Sequence, residues 1–150
     1  MLKPSSKKRK PVVVLDTNVW ISAMIWGGEP AEIILAVEKG QIRVVVSEEI
    51  VEEISRTLDY HRLREVYESV NVNRQQLVET VLLIGKLVQV GSKVEVVEAD
   101  PSDNKILDCA LTSKADFIVS GDKHLLRLKK FRNTQILTVA EFAKLLKALD

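Results

Sequence analysis

The 150-residue chain is long enough to form one domain with its own core, since 46% of its residues are hydrophobic. A formal net charge of +1 argues against a general polyanion binder, and a single cysteine, Cys109, excludes an internal disulfide and suits a reducing compartment. Because no apolar run approaches the roughly 18 residues that a membrane span requires, we expect a cytoplasmic protein that does not cross a membrane.

The charge is unevenly distributed along the chain. Residues 1–11 carry no acid and five cations, namely Lys3, Lys7, Lys8, Arg9 and Lys10. Without these five, the net charge of +1 becomes −4 for the rest of the chain. Residues 1–11 are therefore predicted to form a flexible basic tail before a single domain at residues 12–150. The tail fits either a solubilising role or an arm that contacts nucleic acid.

The first predicted element is a buried strand. Residues 12–15 form the unbroken apolar run Val-Val-Val-Leu, which is typical of a strand buried on both faces of a parallel α/β sheet. Asp16 follows directly. Because ligands gather outside the carboxyl ends of the strands in such sheets, Asp16 is either a site residue or the N-cap of the next helix.

Strands and helices alternate along the rest of the chain. Further strands are predicted at residues 42–46, at either 88–90 or 94–97, at 117–119 and at 134–137. Helices are predicted at 19–25, 31–38, 60–70, 123–128 and 139–149, and others begin after Ser47, Asn73 and Asp100. This order is typical of an α/β fold with a central, mainly parallel sheet.

The helix that begins after Ser47 carries an acid that can face the interior. Its inward stripe consists of Ile50, Val51, Ile54 and Leu58. At about 100° per residue, Glu53 lies at the border of this stripe and can reach an inner cleft, whereas Glu52 lies nearly opposite. The alternative for Glu53 is surface pairing with Arg56 or Thr57.

The helix that follows Asn73 is unusually apolar. Asn73 and Gln76 form a capping-box pattern at its start, and the helix is predicted to continue through Leu87. Its apolar side chains are Leu77, Val78, Val81, Leu82, Ile84 and Leu87. A face this wide fits either ordinary core burial or a homodimer interface.

Two further acids occupy comparable positions. Asp103 lies three, four and seven residues before apolar positions of its helix, which places it on the buried stripe, whereas Asp108 is expected to point away. Asp122 follows the strand at 117–119 directly after a Ser-Gly pair. The alternatives are favourable helix-start electrostatics for Asp103 and a helix cap for Asp122.

Four acids are therefore predicted to meet at one edge of the sheet. We call them the acidic cluster: Asp16, Glu53, Asp103 and Asp122. Carboxylates within about 4 Å of one another repel by roughly 4 kcal/mol per pair at an effective dielectric near 20, so such a cluster tends either to take up protons or to bind cations. Oxygen ligands without a nearby Cys or His set select Mg²⁺ or Mn²⁺ over zinc. A divalent ion can activate water and neutralise the leaving oxygen, as phosphodiester hydrolysis demands.

Cations follow the last acid of the cluster. They are Lys123, Arg127, Lys129, Lys130 and Arg132. This strip could guide a nucleic-acid backbone, with Lys123, Arg127 and Lys130 as the candidate contacts. Alternatively, Lys129 and Arg132 merely suit the end of a helix.

Four segments of the chain, in order, resemble the acidic blocks of PIN-domain nucleases. They are Val-Leu-Asp-Thr-Asn-Val at 14–19, residues 47–54, residues 103–110, and Ala-Asp-Phe-Ile-Val-Ser-Gly-Asp at 115–122. The resemblance implies a three-layer α/β/α fold, Mg²⁺- or Mn²⁺-dependent RNA cleavage and frequent homodimers. The Gly27-Gly28 pair and residues 100–104 are most similar to a branch of toxin components from toxin–antitoxin pairs, which implies an antitoxin partner.

By that resemblance the acidic cluster supplies the metal ligands, and Asn18 orients them by hydrogen bonds. The chain departs from the family at one position. Many relatives have a further acid two residues after the one matched by Asp122, and here that position is His124. The occupancy of a second metal is therefore open, and His124 either contacts a phosphate or faces solvent.

The resemblance implies hydrolysis of RNA to 5′-phosphate and 3′-hydroxyl ends by the toxin of a toxin–antitoxin pair. The alternatives are a non-catalytic RNA-binding or scaffold protein of the same fold, and an RNA-processing nuclease that is not a toxin. An aspartyl phosphatase is disfavoured, because Asn18 cannot donate the proton that a second acid supplies in that chemistry.

Overall fold

The computed structural model describes residues 9–91 and 101–149. In these ranges the strands are β1 (Val12–Leu15), β2 (Arg43–Ser47), β3 (Lys86–Val88), β4 (Phe117–Val119), β5 (Lys130–Phe131) and β6 (Thr134–Leu137). The helices are α1 (Thr17–Ile25), α2 (Glu29–Glu38), α3 (Glu48–Leu58), α4 (His61–Glu68), α5 (Arg74–Ile84), α6 (Pro101–Ser113), α7 (Lys123–Leu128) and α8 (Val139–Leu149). None of these helices combines the length and hydrophobicity that a membrane crossing needs.

The strands form one sheet in the order β3-β2-β1-β4-β6-β5. All neighbouring pairs are parallel except β5 and β6. Helices flank the sheet, which confirms the predicted three-layer α/β/α architecture. Strand β1 lies near the centre, and its residues Val13, Val14 and Leu15 are fully buried. Because both faces of β1 are covered by the rest of the protein, its sequence does not alternate between apolar and polar residues.

Several elements have the bounds that the sequence predicts. They are β1, β4, β6, α7 and α8. Two predicted helix starts are also confirmed. The Ser47 hydroxyl accepts a hydrogen bond from the Ile50 N–H at 3.2 Å, and Asn73 and Gln76 exchange both bonds of a capping box at 2.9 Å each. These signals are local, so the sequence alone specifies them.

Helix α5 ends earlier than predicted. It stops at Ile84 instead of Leu87, because residues 86–88 pair with β2 as a parallel strand. Gly85 makes the transition, and a Cβ atom there would lie 3.2 Å from the buried ring of Trp20. Pairing with a distant strand therefore overrides local helix propensity.

Other differences involve short elements. Strand β3 begins two residues before the predicted 88–90 segment, whereas the alternative at 94–97 and the Asp100 cap lie outside the described residues. Edge strand β5 was not predicted. The prediction that Asp108 points away is wrong, since the residue is 9% exposed. Helix α6 contacts four strands of the sheet, which covers more of its circumference than a single amphipathic face.

The first described residues are tied to the domain by Asp116. The Arg9 guanidinium donates two hydrogen bonds to this carboxylate, at 2.9 and 3.1 Å. The Val12 N–H donates to the same carboxylate at 2.8 Å. Asp116 therefore anchors both the segment before β1 and the strand itself.

We expect Asp116→Ala to lower the melting temperature more than Arg9→Ala. The Arg9 side chain is 69% exposed, and exposed ion pairs contribute only about 0.2–1 kcal/mol. Loss of Asp116 also leaves the Val12 N–H without its acceptor, which costs a further ~1–3 kcal/mol. Thermal unfolding followed by circular dichroism measures both variants, and equal losses would show that the Val12 bond contributes nothing.

Candidate active site

The acidic cluster lines one pocket at the carboxyl ends of the central strands. The pocket has a volume of about 310 Å³, and all four acids lie on its wall together with Asn18. Asp16 and Asp122 follow β1 and β4, whereas Glu53 and Asp103 lie on α3 and α6. Segments that are far apart in the sequence thus converge at one sheet edge.

Asp16 is both a helix cap and a pocket residue. Its Oδ1 accepts a hydrogen bond from the Val19 N–H at 2.8 Å, which caps α1. Its Oδ2 accepts from the Ser120 hydroxyl and, at 3.3 Å, from the Gly121 N–H. Burial raises the pKa of Asp16, and the charge of Asp122 adds to this effect, while the three hydrogen bonds oppose it. The two alternatives left open by the sequence are therefore compatible.

The raised pKa of Asp16 predicts a pH-dependent stability in the absence of metal. Between the ordinary value of 3.8 and the raised pKa, the folded state holds a proton on Asp16 that the unfolded state releases. The free energy of unfolding therefore falls as pH rises from that value through the raised pKa. We expect wild type to lose stability relative to Asp16→Asn over this interval. Melting temperatures of both proteins in chelator from about pH 4 to 8 test this. A melting-temperature difference between wild type and Asp16→Asn that stays constant, or that grows in favour of wild type as pH rises, would contradict the prediction.

Glu53 is held by hydroxyl groups from two other helices. The Thr17 hydroxyl donates to Oε1, and the Ser102 hydroxyl donates to Oε2 at 2.8 Å. Lys105 Nζ lies 4.0 Å from Oε2. These contacts replace the surface pairing with Arg56 or Thr57 that was the alternative for Glu53.

Asp103 and Asp122 lie beside a histidine ring. Asp103 is buried on α6, and Asp122 caps α7 by accepting from the His124 N–H at 2.7 Å and the Leu125 N–H at 3.3 Å. His124 Nδ1 lies 3.9 Å from Asp103 Oδ2 and 3.8 Å from Asp122 Oδ1. One possible ligand atom from each of the three residues lies within 4.8 Å of the other two. Although His124 is half exposed, its ring therefore lies next to two acids of the cluster.

Three hydroxyl residues that position the acids were missed by sequence reasoning. Thr17 and Ser102 donate to Glu53, and Ser120 donates to Asp16 while accepting from the Asp122 N–H at 2.9 Å. Each hydroxyl lies within two residues of one acid in the sequence but donates to another acid. The closeness of each hydroxyl residue to an acid in the sequence was the available signal. It does not reveal which acid the hydroxyl contacts in the folded protein.

The remaining predicted site residues are exposed to solvent. Asn18 is exposed, and in the described part of the chain it forms no hydrogen bond with the acidic cluster. Its orienting role stays a prediction. Lys123, Arg127 and Lys130 are exposed, and the wall of the pocket, as far as the structure describes it, does not include them.

The donor set fits a divalent cation. Carboxylate oxygens predominate, and such ligands suit Mg²⁺ and Mn²⁺. The hydroxyl and N–H donors keep the buried acids hydrogen-bonded, but their mutual repulsion remains. Cys109 supplies no thiolate, because it is fully buried and burial raises the pKa of its thiol to about 12.

A family model for the PIN domain matches residues 12–124. The chain belongs to the PIN-domain family. The matched range contains the whole acidic cluster as well as His124.

Solved structures are similar to this PIN domain in fold. VapBC2 from Rickettsia felis, bound to a DNA fragment from its promoter, has a TM-score of 0.59 and 12% identity over 85% of this chain and 98% of the other. PAE2754 from Pyrobaculum aerophilum has a TM-score of 0.58 and 14% identity over 93% of this chain and 90% of the other. At these identities the likeness establishes the fold alone. No curated protein sequence matches this chain significantly.

Proposed function

We propose that this PIN domain is a metal-dependent endoribonuclease that uses Mg²⁺ or Mn²⁺ to hydrolyse RNA phosphodiester bonds in the cytoplasm. Membership of the PIN-domain family supports nuclease activity. The observation that carries the finer proposal is the convergence of the acidic cluster in one pocket of about 310 Å³. Four carboxylates in so small a space favour a divalent cation as their partner.

In this proposal the acidic cluster holds the metal and the hydroxyl residues hold the acids. A bound divalent ion supplies activation of water and neutralisation of charge on the phosphate. Ser120 fixes Asp16 relative to Asp122, and Thr17 with Ser102 directs the Glu53 carboxylate into the pocket. Fixed ligands reduce the reorganisation needed during the reaction.

The exposed cations of α7 and β5 would attract the RNA backbone. Lys123, Arg127 and Lys130 belong to α7 and β5, which follow Asp122 directly in the chain. Exposed cations that follow a pocket acid in the chain can attract the phosphates of a nucleic-acid backbone. Their contribution should weaken as the salt concentration rises.

Cleavage of a mixed RNA panel tests the proposed function. The purified chain is incubated with Mg²⁺, with Mn²⁺ or with a chelator, and matched DNA strands serve as the substrate control. We expect RNA cleavage only with a divalent ion, recovery after the ion is restored, and 5′-phosphate and 3′-hydroxyl ends. Undiminished cleavage in chelator would overturn metal dependence, and cleavage of DNA alone would overturn the RNA assignment.

We further propose that the protein is the toxin of a toxin–antitoxin pair. The structural likeness to VapBC2 and the resemblance of residues 100–104 to toxin components support this role. Induction in a bacterial host should arrest growth, and co-expression of the neighbouring reading frame should relieve the arrest. RNA cleavage without a growth defect would instead indicate an RNA-processing nuclease, and metal binding without cleavage would indicate a scaffold.

A homodimer is the proposed assembly. On α5, Leu82 and Leu83 are 47% and 84% exposed, and Leu87 on β3 is 54% exposed. Large apolar side chains that are exposed on neighbouring elements favour association. Light scattering of wild type and of Leu83→Glu tests this, because a charge at the most exposed position should shift a dimer toward monomer.

A further inference from the structure

His124 places a nitrogen donor at the acidic cluster. Its Nδ1 lies 3.9 Å from an Asp103 oxygen and 3.8 Å from an Asp122 oxygen. The chain has two histidines, and the other, His61, pairs with Glu65 at 2.7 Å on the exposed surface of α4. His124 is therefore the histidine with access to the pocket acids.

The position of His124 is set by the cap of α7. Its backbone N–H donates to Asp122 Oδ1 at 2.7 Å, so the carboxylate and the ring are held in one turn of chain. Asp103, buried on α6, faces them from another element. The donors thus come from two parts of the chain, α6 and the start of α7.

The spacing of the donors suits one metal ion. At a metal–ligand distance of about 2.1 Å, adjacent octahedral ligands are about 3 Å apart and opposite ligands about 4.2 Å apart. The two distances from His124 Nδ1, 3.9 and 3.8 Å, lie between these values. Small side-chain movements can therefore bring all three donors onto one ion, with other positions left for water or phosphate.

We propose that His124 is a nitrogen ligand of the metal site, together with Asp103 and Asp122, and that it biases the site toward Mn²⁺ over Mg²⁺. The proposal rests on the proposed function in that a divalent ion binds at the acidic cluster. Mg²⁺ is a hard cation that takes oxygen ligands, whereas first-row transition ions also accept imidazole. Exchanging a carboxylate for imidazole therefore costs Mg²⁺ more than Mn²⁺.

Pulsed electron paramagnetic resonance of bound Mn²⁺ tests this directly and requires no RNA. Mn²⁺ is added to the full chain after chelator has been removed, and coupling to a directly bound ¹⁴N nucleus is measured. We expect the coupling in wild type and in His61→Ala, and its loss in His124→Ala. His124→Asp should bind Mn²⁺ without the nitrogen coupling, which controls for a folding defect in the alanine variant.

Affinities provide the second measurement. Mn²⁺ binding is titrated directly and Mg²⁺ binding by competition, for wild type, His61→Ala and His124→Asp. We expect His124→Asp to reduce the ratio of Mn²⁺ to Mg²⁺ affinity at least about tenfold, the lower end of what losing a metal-site residue costs. His61→Ala should leave the ratio unchanged.

The outcomes separate this proposal from the proposed function. Bound Mn²⁺ without nitrogen coupling in wild type, or an unchanged affinity ratio in His124→Asp, overturns the role of His124 while metal-dependent cleavage still stands. Nitrogen coupling in a protein that cleaves no RNA supports the His124 ligand and overturns the nuclease. Failure of wild type to bind Mn²⁺ overturns the metal site that both proposals share.

Discussion

Asp16→Asn is expected to reduce metal-dependent RNA cleavage by at least about a hundredfold while the fold is retained. Asparagine is as good an N-cap as aspartate, so an amide oxygen can still accept from the Val19 N–H. The amide removes the negative charge from a residue that is only 7% exposed and central to the acidic cluster. Attraction for the metal falls, and the carboxylate oxygen that accepts hydrogen bonds from Ser120 and Gly121 is lost as an anionic metal ligand.

The measurement for Asp16 is kcat/KM on the best RNA of the panel over a range of Mg²⁺ and Mn²⁺ concentrations. Asp59→Asn is the matched control, because Asp59 is exposed and pairs with Arg74 at 3.2 Å at the end of α3. It should cleave like wild type. If Asp16→Asn is folded and retains near wild-type activity at low metal concentration, the carboxylate is not part of the active site.

Glu53→Gln is expected to lower the activity at least about tenfold, the lower end of the loss typical when even an outer-shell partner of a metal ligand is changed. The change preserves the size of the side chain and removes its charge. One amide oxygen can accept from Thr17 or Ser102, but the amide nitrogen cannot accept from the other hydroxyl. The side chain therefore loses its charge, and one of its two hydrogen bonds can persist only if the hydroxyl accepts from the amide instead of donating.

Glu52→Gln is the control for Glu53, because it makes the same chemical change one residue away on α3. Glu52 is exposed, on the side of the helix opposite the inward stripe. Single-turnover cleavage and metal affinity should be unchanged in this variant. Equal effects of the two substitutions would show that the charge of the helix as a whole, instead of a specific ligand, accounts for the loss.

Local signals explain which parts of the fold could be predicted. An apolar run marks β1, a serine marks the start of α3, and a capping box marks the start of α5. The rule that ligands gather at the carboxyl ends of parallel strands then placed the four acids at one edge. Each of these inferences uses residues close together in the chain or a general property of parallel sheets.

The end of α5 shows why other parts could not be predicted. Residues 86–88 have an apolar periodicity that is compatible with a helix, and their strand conformation depends on pairing with β2 about forty residues earlier. Likewise, the burial of Asp108 depends on how many strands α6 crosses. The apolar periodicity of one segment reveals neither the strand conformation of residues 86–88 nor the burial of Asp108.

The amino-acid sequence by itself determined most of the strand and helix pattern, the identity of the acidic cluster and the sheet edge at which it lies. Only the tertiary structure decided which hydroxyl holds which acid, since Thr17, Ser102 and Ser120 are 36, 49 and 104 residues from the acids that they contact. It also decided that the ring of His124 lies between two carboxylates. Whether a hydrogen bond or a metal–ligand bond can form depends on differences of a few tenths of an ångström in the distance between two atoms. Packing of the whole chain sets those distances.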